Sequence, residues 1–402
     1  MIPFSPPYIS KKAIQAVVNV LQSGWITTGP VTKEFENKIT AYCGNQKTLC
    51  VNSATAGLEL MLRWFGVGPG DEVIVPAYTY CATANVVAHC GAKPVMVDSG
   101  ADNVNITHES IRRAVTAKTK VIMPVDVFGI PCSYDEINSL VREPEIMKQF
   151  HPSNPVQEKL GRILVLSDAA HSLGATYHGK RTGNLTDVSV FSFHAVKNLT
   201  TAEGGAIALN LPAPFNNEDI YAQLNILGLH GQSKDAYSKT EKKSWRYDVA
   251  MAGYKMNMTD IQAALGIAQL EEYDDILRKR KYNFDAYTNA FRKYDWAVLP
   301  VYETGQFLSS FQVYDLRIKG ITEKTRDKII DAIMEKEVSV NVHFQPLPML
   351  SYYKNLGYQV KDYPNAYKHY AAEISLPVFY SMTDEQLQEV IEVVTDAVQN
   401  NL

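Results

Sequence analysis

Between Thr48 and Leu209 the chain repeats one pattern, a short and continuously apolar run followed by a helix-length segment. The spacing predicts strands over Thr48–Asn52, Glu72–Pro76, Lys93–Asp98, Lys120–Val125, Ile163–Leu166, Val188–Phe193 and Gly205–Leu209. Helices are predicted between them, from Ser53 through Phe65, over Thr79–Cys90, Glu109–Ala117 and Tyr134–Arg142. A strand that is apolar throughout, rather than at alternate positions, is buried on both faces. A mostly parallel sheet covered by helices on each side supplies that burial, so the expected fold class is α/β with three layers.

The flanks differ. Lys11–Gln22 reads as a helix with Ile14, Val17, Val18 and Leu21 on one face, Gly24–Pro30 as a loop, and Val31–Cys43 as a second amphipathic helix. Thr259–Tyr287 reads as one or two long helices. Beyond about Lys293 the texture becomes that of a small α+β unit, with helices over Lys324–Lys336 and Asp384–Val398. The expected organisation is a large α/β domain over 1–265, its N-terminal segment lining the active site, and a smaller α+β domain over 266–402. The polar, Pro-containing stretch between Arg142 and Arg162 reads as a surface excursion of unknown role.

Composition excludes several classes. A net charge of −4 gives no reason to expect nucleic acid or an anionic membrane as partner. No apolar run is long enough to span a bilayer, and the start lacks a signal-peptide pattern. The five cysteines are scattered without metal spacing, which reads as reduced core thiols, a cytoplasmic protein and no metal site. There is no phosphate loop of the GxxxxGKS type, no GxGxxG fingerprint, no HExxH and no GxSxG elbow.

The residues suited to chemistry fall at predicted strand ends, where ligands gather in open α/β sheets. Asp168 closes the run Ile163–Leu166 and is desolvated there. It needs a cation or good donors, which a protonated pyridine nitrogen would supply as well as a nearby arginine or helix N-terminus. Lys197 lies between an apolar strand and a turn of small residues, in Phe191–Gly205; burial would lower its amine pKa and make it a nucleophile. A carboxylate at one strand end and a lysine past the next strand suit pyridoxal phosphate chemistry. His171 could bond the cofactor's phenolic oxygen or be a satisfied core histidine. Ser53 and Ala54 open a helix and could hold a phosphate, or form a plain N-cap. Tyr80 could stack on a ring or sit in the core, and Ser192 could contact phosphate or only fill space.

Taken in order, Ser23–Pro30, Asn52–Leu58, Gly68–Val73, Pro76–Tyr80, Asp168–His171, Phe191–Gly205 and Gly253–Ala264 resemble the DegT/DnrJ/EryC1/StrS family of sugar aminotransferases over nearly the full length. That resemblance implies fold type I of the pyridoxal-phosphate enzymes. It makes Lys197 the Schiff-base lysine, Asp168 the partner of the pyridine nitrogen, His171 the neighbour of the phenolic oxygen and Tyr80 the stacking aromatic. Ser53, Ala54 and Ser192 become phosphate contacts. Asn257 would reach the phosphate from the neighbouring subunit, implying an obligatory homodimer. Thr28, Gly29 and His343 fall in segments on the substrate side.

The implied reaction moves an amino group from L-glutamate to a nucleotide-linked keto-sugar. Tyr247, Asp248 and the Gly253–Ala264 segment resemble the branch acting on UDP-linked 4-keto sugars; a 3-keto dTDP-sugar is the alternative substrate, and a non-catalytic regulatory paralogue the alternative class. Met256 departs from the aromatic residue common in this motif. Members with histidine in place of the lysine are dehydratases, and this chain keeps Lys197.

Overall fold

The computed structural model describes residues 1–232 and 247–402. An extended start ends at Ser10, whose hydroxyl caps α1 (Lys11–Ser23) by accepting from Ala13 N, and Gly24, at φ 76°, stops that helix in a left-handed turn. α2 (Pro30–Cys43) leads into the sheet region. There β1 (Lys47–Val51), α3 (Ala54–Trp64), β2 (Glu72–Pro76), α4 (Ala82–His89), β3 (Lys93–Val97), α5 (His108–Ala114) and β4 (Thr119–Ile122) alternate as the apolar spacing predicts. α6 (Tyr134–Leu140) follows.

The stretch between 142 and 162 is folded into α7 (Pro144–Gln149) and α8 (Pro155–Leu160). Asn154 caps α8, and the fully buried Gln157 donates from its amide to Phe65 O at 2.9 Å, which ties the excursion to the end of α3. β5 (Leu164–Asp168) comes next, then the short strands β6 (Thr176–Tyr177) and β7 (Lys180–Arg181), then β8 (Val188–Ser192) and β9 (Gly205–Leu209).

Seven strands form one sheet in the order β1-β9-β8-β5-β4-β2-β3. β3, β2, β4, β5 and β8 pair in parallel, but β9 runs antiparallel to both β8 and β1. The sheet is mostly parallel, as expected, and β9 is the strand that reverses. A parallel return needs a crossover, usually helical. Residues 193–204 hold no helix, so the chain folds straight back beside β8. Every residue of β2, β4, β5 and β9 is buried, as expected for strands covered on both faces.

After α9 (Asn217–Leu227), α10 (Asp260–Glu271) begins at a capping box in which Thr259 and Gln262 bond each other's backbone N–H groups. α11 (Tyr273–Phe291), β10 (Ala297–Val298), β11 (Phe307–Leu308), β12 (Tyr314–Ile318), α12 (Glu323–Met334), α13 (Ser351–Asn355), α14 (Pro364–Ala372), β13 (Glu373–Leu376) and α15 (Asp384–Gln399) complete the chain. A second, antiparallel sheet, β10-β12-β13, carries its own apolar cluster, including Phe284, Tyr287, Leu316, Ile329, Val390 and Val394. On α1 the buried residues are Ala13 and Val20; Ile14 and Leu21, on the apolar face read from the sequence, are 55 % and 52 % exposed. The helix docks on α10 by its narrower edge. No helix among the described residues is long and apolar enough to cross a membrane.

Candidate active site

The carboxyl ends of β1, β2, β5 and β8 converge on one cavity of about 590 Å³, well inside the roughly 300–1,000 Å³ typical of cofactor and small-molecule sites. Asp168, the last residue of β5, lines it and is 6 % exposed. Its Oδ2 accepts from the Thr83 hydroxyl at 2.8 Å and its Oδ1 from Ala170 N at 3.2 Å. Among the described residues no arginine pairs with it, so the arginine partner left open by the sequence is absent there. Burial pushes its carboxyl up, while Thr83, Ala170 N and the Lys197 ammonium pull it down. The carboxylate is thus held short of a full charge partner.

Lys197 opens into the same cavity from the loop after β8. Desolvation lowers its ammonium from 10.5 to about 8, against the attraction of Asp168. Its backbone is clamped from the C-terminal part of the chain. The Gln312 side chain accepts from Asn198 N at 3.1 Å and donates to Val196 O at 3.1 Å, and Asn198 Nδ2 donates to Ser310 O at 2.7 Å. Arg280, buried without an acidic partner among the described residues, in turn holds the Phe311 and Gln312 carbonyls at 2.8 and 2.7 Å. These clamping residues carry no local signature and were not found from sequence; each acts through a contact more than thirty positions away.

His171 stands three residues past Asp168 and also lines the cavity. Burial, with Lys197 and His343 nearby, holds its imidazole well below the usual histidine range, so the ring is neutral. Its Nδ1 is buried without a hydrogen-bond partner among the described residues. Phe344, also missed from sequence, stacks on that ring at 5.8 Å and faces Tyr80 at 6.2 Å. Tyr80 is 63 % exposed with its ring at the cavity mouth, which removes the core-tyrosine reading.

At the opposite wall, α3 presents its N-terminus. Ser53 Oγ accepts from Ala56 N at 3.1 Å, so it is an N-cap, and its hydroxyl proton is left free. Ser53, Ala54 and Ser192 all line the cavity. A Cβ on Gly205 would lie 2.6 Å from both Ala54 N and Ser53 C, so only glycine lets β9 approach this helix start. Unpaired helix N–H groups, the helix dipole and two hydroxyls make an anion cradle.

His343 lines the cavity from the C-terminal part of the chain. Thr28, Gly29 and Asn257 do not join it. Asn257 Nδ2 donates to Thr28 Oγ1 at 2.6 Å, Thr28 Oγ1 donates to Met258 O, and Gly29 N donates to Asp260 Oδ1 at 2.8 Å. These three form a separate knot around the start of α10.

The model of the DegT/DnrJ/EryC1/StrS aminotransferase family matches residues 7–148 and 156–395. The chain belongs to that family. The internal stretch outside the match, 149–155, spans the junction of the two excursion helices. This aminotransferase is 36 % identical to the spore coat polysaccharide biosynthesis protein SpsC of Bacillus subtilis, over 99 % of this chain and 97 % of that one. It superposes on a Streptococcus pneumoniae protein described as a sugar aminotransferase, solved in its PMP form, with TM-score 0.96 and 44 % identity over 100 % of both chains. The PLP form of that protein gives TM-score 0.95 and 43 % identity over 100 % of this chain and 99 % of the other. PseC of Helicobacter pylori, an aminotransferase of pseudoaminic acid biosynthesis, gives 0.86 and 26 % over 99 % of each. The aminotransferase thus has fold type I of the pyridoxal-phosphate transferases.

Proposed function

We infer that the chain is a pyridoxal 5′-phosphate aminotransferase that moves the amino group of L-glutamate to a nucleotide-linked keto-sugar, a UDP-4-keto-6-deoxyhexose or hexosamine, in surface polysaccharide or glycan synthesis. The observation that carries this reading is the pairing of Asp168 and Lys197 in one cavity, one buried carboxylate with no ion pair among the described residues and one amine with a depressed pKa. The cofactor fits the residues present. Its pyridine nitrogen complements Asp168, its phenolic oxygen the orphaned side of His171, its ring the exposed face of Tyr80, and its phosphate the cradle of Ser53, Ala54 and Ser192. When bound, pyridoxal phosphate supplies an aldehyde that captures amines and a ring that accepts the electron pair released at the adjacent carbon.

The chain's own residues do the rest. Lys197 Nζ, neutral in an appreciable fraction near pH 7, is the nucleophile that holds the cofactor and the base that carries a proton between substrate carbon and cofactor carbon. Asp168 would hold the pyridine nitrogen in its charged form; Thr83 and Ala170 fix where that carboxylate points. The loop clamp through Gln312 sets the amine's position, which matters because displacement by an ångström is costly to rate. We read Asn257, which lies away from this chain's cavity, as serving the phosphate site of a second copy in a homodimer with shared sites. The likeness to SpsC supports the polysaccharide setting, and free cysteines throughout support a cytoplasmic one.

Half-reaction spectroscopy with glutamate tests this reading. The wild type converts its bound cofactor and releases 2-oxoglutarate, whereas Lys197→Ala does not; equal conversion by both refutes the lysine's role. A panel of UDP- and dTDP-linked 4-keto and 3-keto sugars then tests the acceptor, and turnover confined to 3-keto dTDP-sugars overturns that part.

A further inference from the structure

The side chain of the cavity residue His343 is wired through Ser375 to a buried acid, Glu373. Its segment runs beside β13, with Asn341 and Ser375 exchanging backbone hydrogen bonds at 3.2 and 2.8 Å. Glu373 and Ser375 sit two residues apart on that strand, hence on one face of it. His343 Nδ1 lies 2.8 Å from Ser375 Oγ, and Ser375 Oγ bonds Glu373 Oε1. Glu373 Oε2 accepts from His343 N at 3.0 Å, which fixes the carboxyl at its other oxygen. His343 Nε2 has no protein partner among the described residues, and the residue lines the cavity beside Lys197.

We propose that Glu373, Ser375 and His343 form a proton relay that serves the oxygen exchanged at the substrate's carbonyl carbon. The proposal rests on the aminotransferase reading above and deepens it. A keto oxygen replaced by nitrogen leaves as water with two protons, and the amine nitrogen that replaces it gives up two; in the first half-reaction the entering water loses two and the departing nitrogen gains them. In each half-reaction the relay lends one proton to the departing atom and takes one back from the arriving atom at the same carbon. In delivery, the Nε2–H bond of His343 breaks and its proton goes to the departing atom. Nδ1 takes the Ser375 hydroxyl proton, and Ser375 takes the Glu373 carboxyl proton, leaving a carboxylate. Recovery runs the same bonds backwards with a proton from the arriving amine or water, so each half-reaction returns every group to its starting state with no external acid.

The surroundings favour such a concerted chain over an imidazolium. Burial and the neighbouring Lys197 hold the His343 ring near a pKa of about 4, so it resists taking a second proton. A relay lets it give one up while another arrives. Glu373 is fully buried with no ion-pair partner among the described residues. Burial pushes its carboxyl well above the ordinary range, helped by Asp315 on β12 and opposed by Ser375, His343 N and Arg326 on α12. Burial thus favours the neutral acid. The other titratable groups facing the relay are His171 across the cavity, Arg317 beside Asp315, and Tyr78, whose hydroxyl donates to His343 O at 2.6 Å.

The test uses the cofactor-loaded wild type and the variants Ser375→Ala and Ser375→Thr, with both half-reactions followed separately. General acid–base help of this kind is worth about 100-fold. Ser375→Ala should lose 10- to 100-fold in both half-reactions, by roughly this measure, with substrate Kd unchanged, and Ser375→Thr should recover most of it. A proton inventory in mixed H₂O and D₂O should be curved for the wild type and linear for Ser375→Ala. On the cofactor-free protein, ¹⁵N NMR of the histidines should show His343 as the Nε2–H tautomer in the wild type and a mixture in Ser375→Ala. Equal rates for Ser375→Ala and wild type, or a linear inventory in the wild type, overturn the relay. Should Ser375→Ala not fold, the wild-type inventory and the tautomer decide by themselves. A wild type silent with glutamate would instead refute the aminotransferase reading, which separates the two failures.

Discussion

Lys197 should titrate as an unusually acidic amine in the cofactor-free protein, and the size of the effect follows from its setting. Desolvation lowers the group from 10.5 to about 8 despite the attraction of Asp168. At about 1.36 kcal/mol per pKa unit, that displacement is a differential destabilisation of the ammonium on the order of 3 kcal/mol. At pH 7 the free amine rises from about 0.03 % to roughly 10 % of the population, a gain of a few hundredfold in nucleophile. Competitive labelling of the cofactor-free protein with acetic anhydride, quantified by mass spectrometry on the peptide carrying Lys197, should show half-maximal reactivity near pH 8.

The sign also fixes stability. The folded pKa lies below the unfolded one, so the unfolded state binds more protons between about pH 8 and 10.5, and stability rises with pH across that window. Lys197→Met should therefore stabilise the cofactor-free protein at pH 7, by up to the same ~3 kcal/mol, and the advantage should shrink as pH approaches 10.5. Asp168→Asn removes the one attraction that raises the amine and should move its midpoint lower still. A labelling midpoint near 10.5, or an upward shift in Asp168→Asn, refutes the reasoning.

Three further outcomes follow from the geometry. Gly205→Ala drives a methyl into the backbone at Ser53 and Ala54, 2.6 Å away, so pyridoxal phosphate titration should show much weaker binding and melting a lower Tm, with a loss of about 1–3 kcal/mol. Thr83→Val deletes the 2.8 Å hydrogen bond to Asp168 at nearly constant volume; a hydrogen bond to a charge is worth about 1.5–3 kcal/mol, so cofactor Kd should rise about 10- to 100-fold. Arg162→Met leaves Asp187 buried without the two 2.7 Å bonds that pair it, and urea unfolding should show a loss of about 3–5 kcal/mol.

The large sheet was legible because continuous apolar runs announce doubly covered strands. Glu72–Pro76 and Gly205–Leu209 are strands over those residues, and the other runs differ by one to three residues at their ends. Strand direction was not legible at β9, since periodicity carries no polarity; only the missing crossover helix between 193 and 204 hinted at it. In the cavity, Asp168, Lys197, His171, Ser53 and Tyr80 stood out because each sits where an apolar run stops, a place sequence marks clearly. Gln312, Phe344, Glu373 and Ser375 did not. They belong to the C-terminal part, where no motif flags them, and their importance comes from partners distant along the chain. Ile14 and Leu21 show the converse, an apolar stripe plainly written in α1 yet left exposed in the single chain.

The central claim is that one amine, Lys197, bonds covalently to the cofactor aldehyde. Borohydride reduction of the holoenzyme followed by peptide mapping tests it most directly. The account predicts the reduced pyridoxyl phosphate mass on the peptide containing Lys197 and on no other. Label on a different lysine, or none at all, contradicts it.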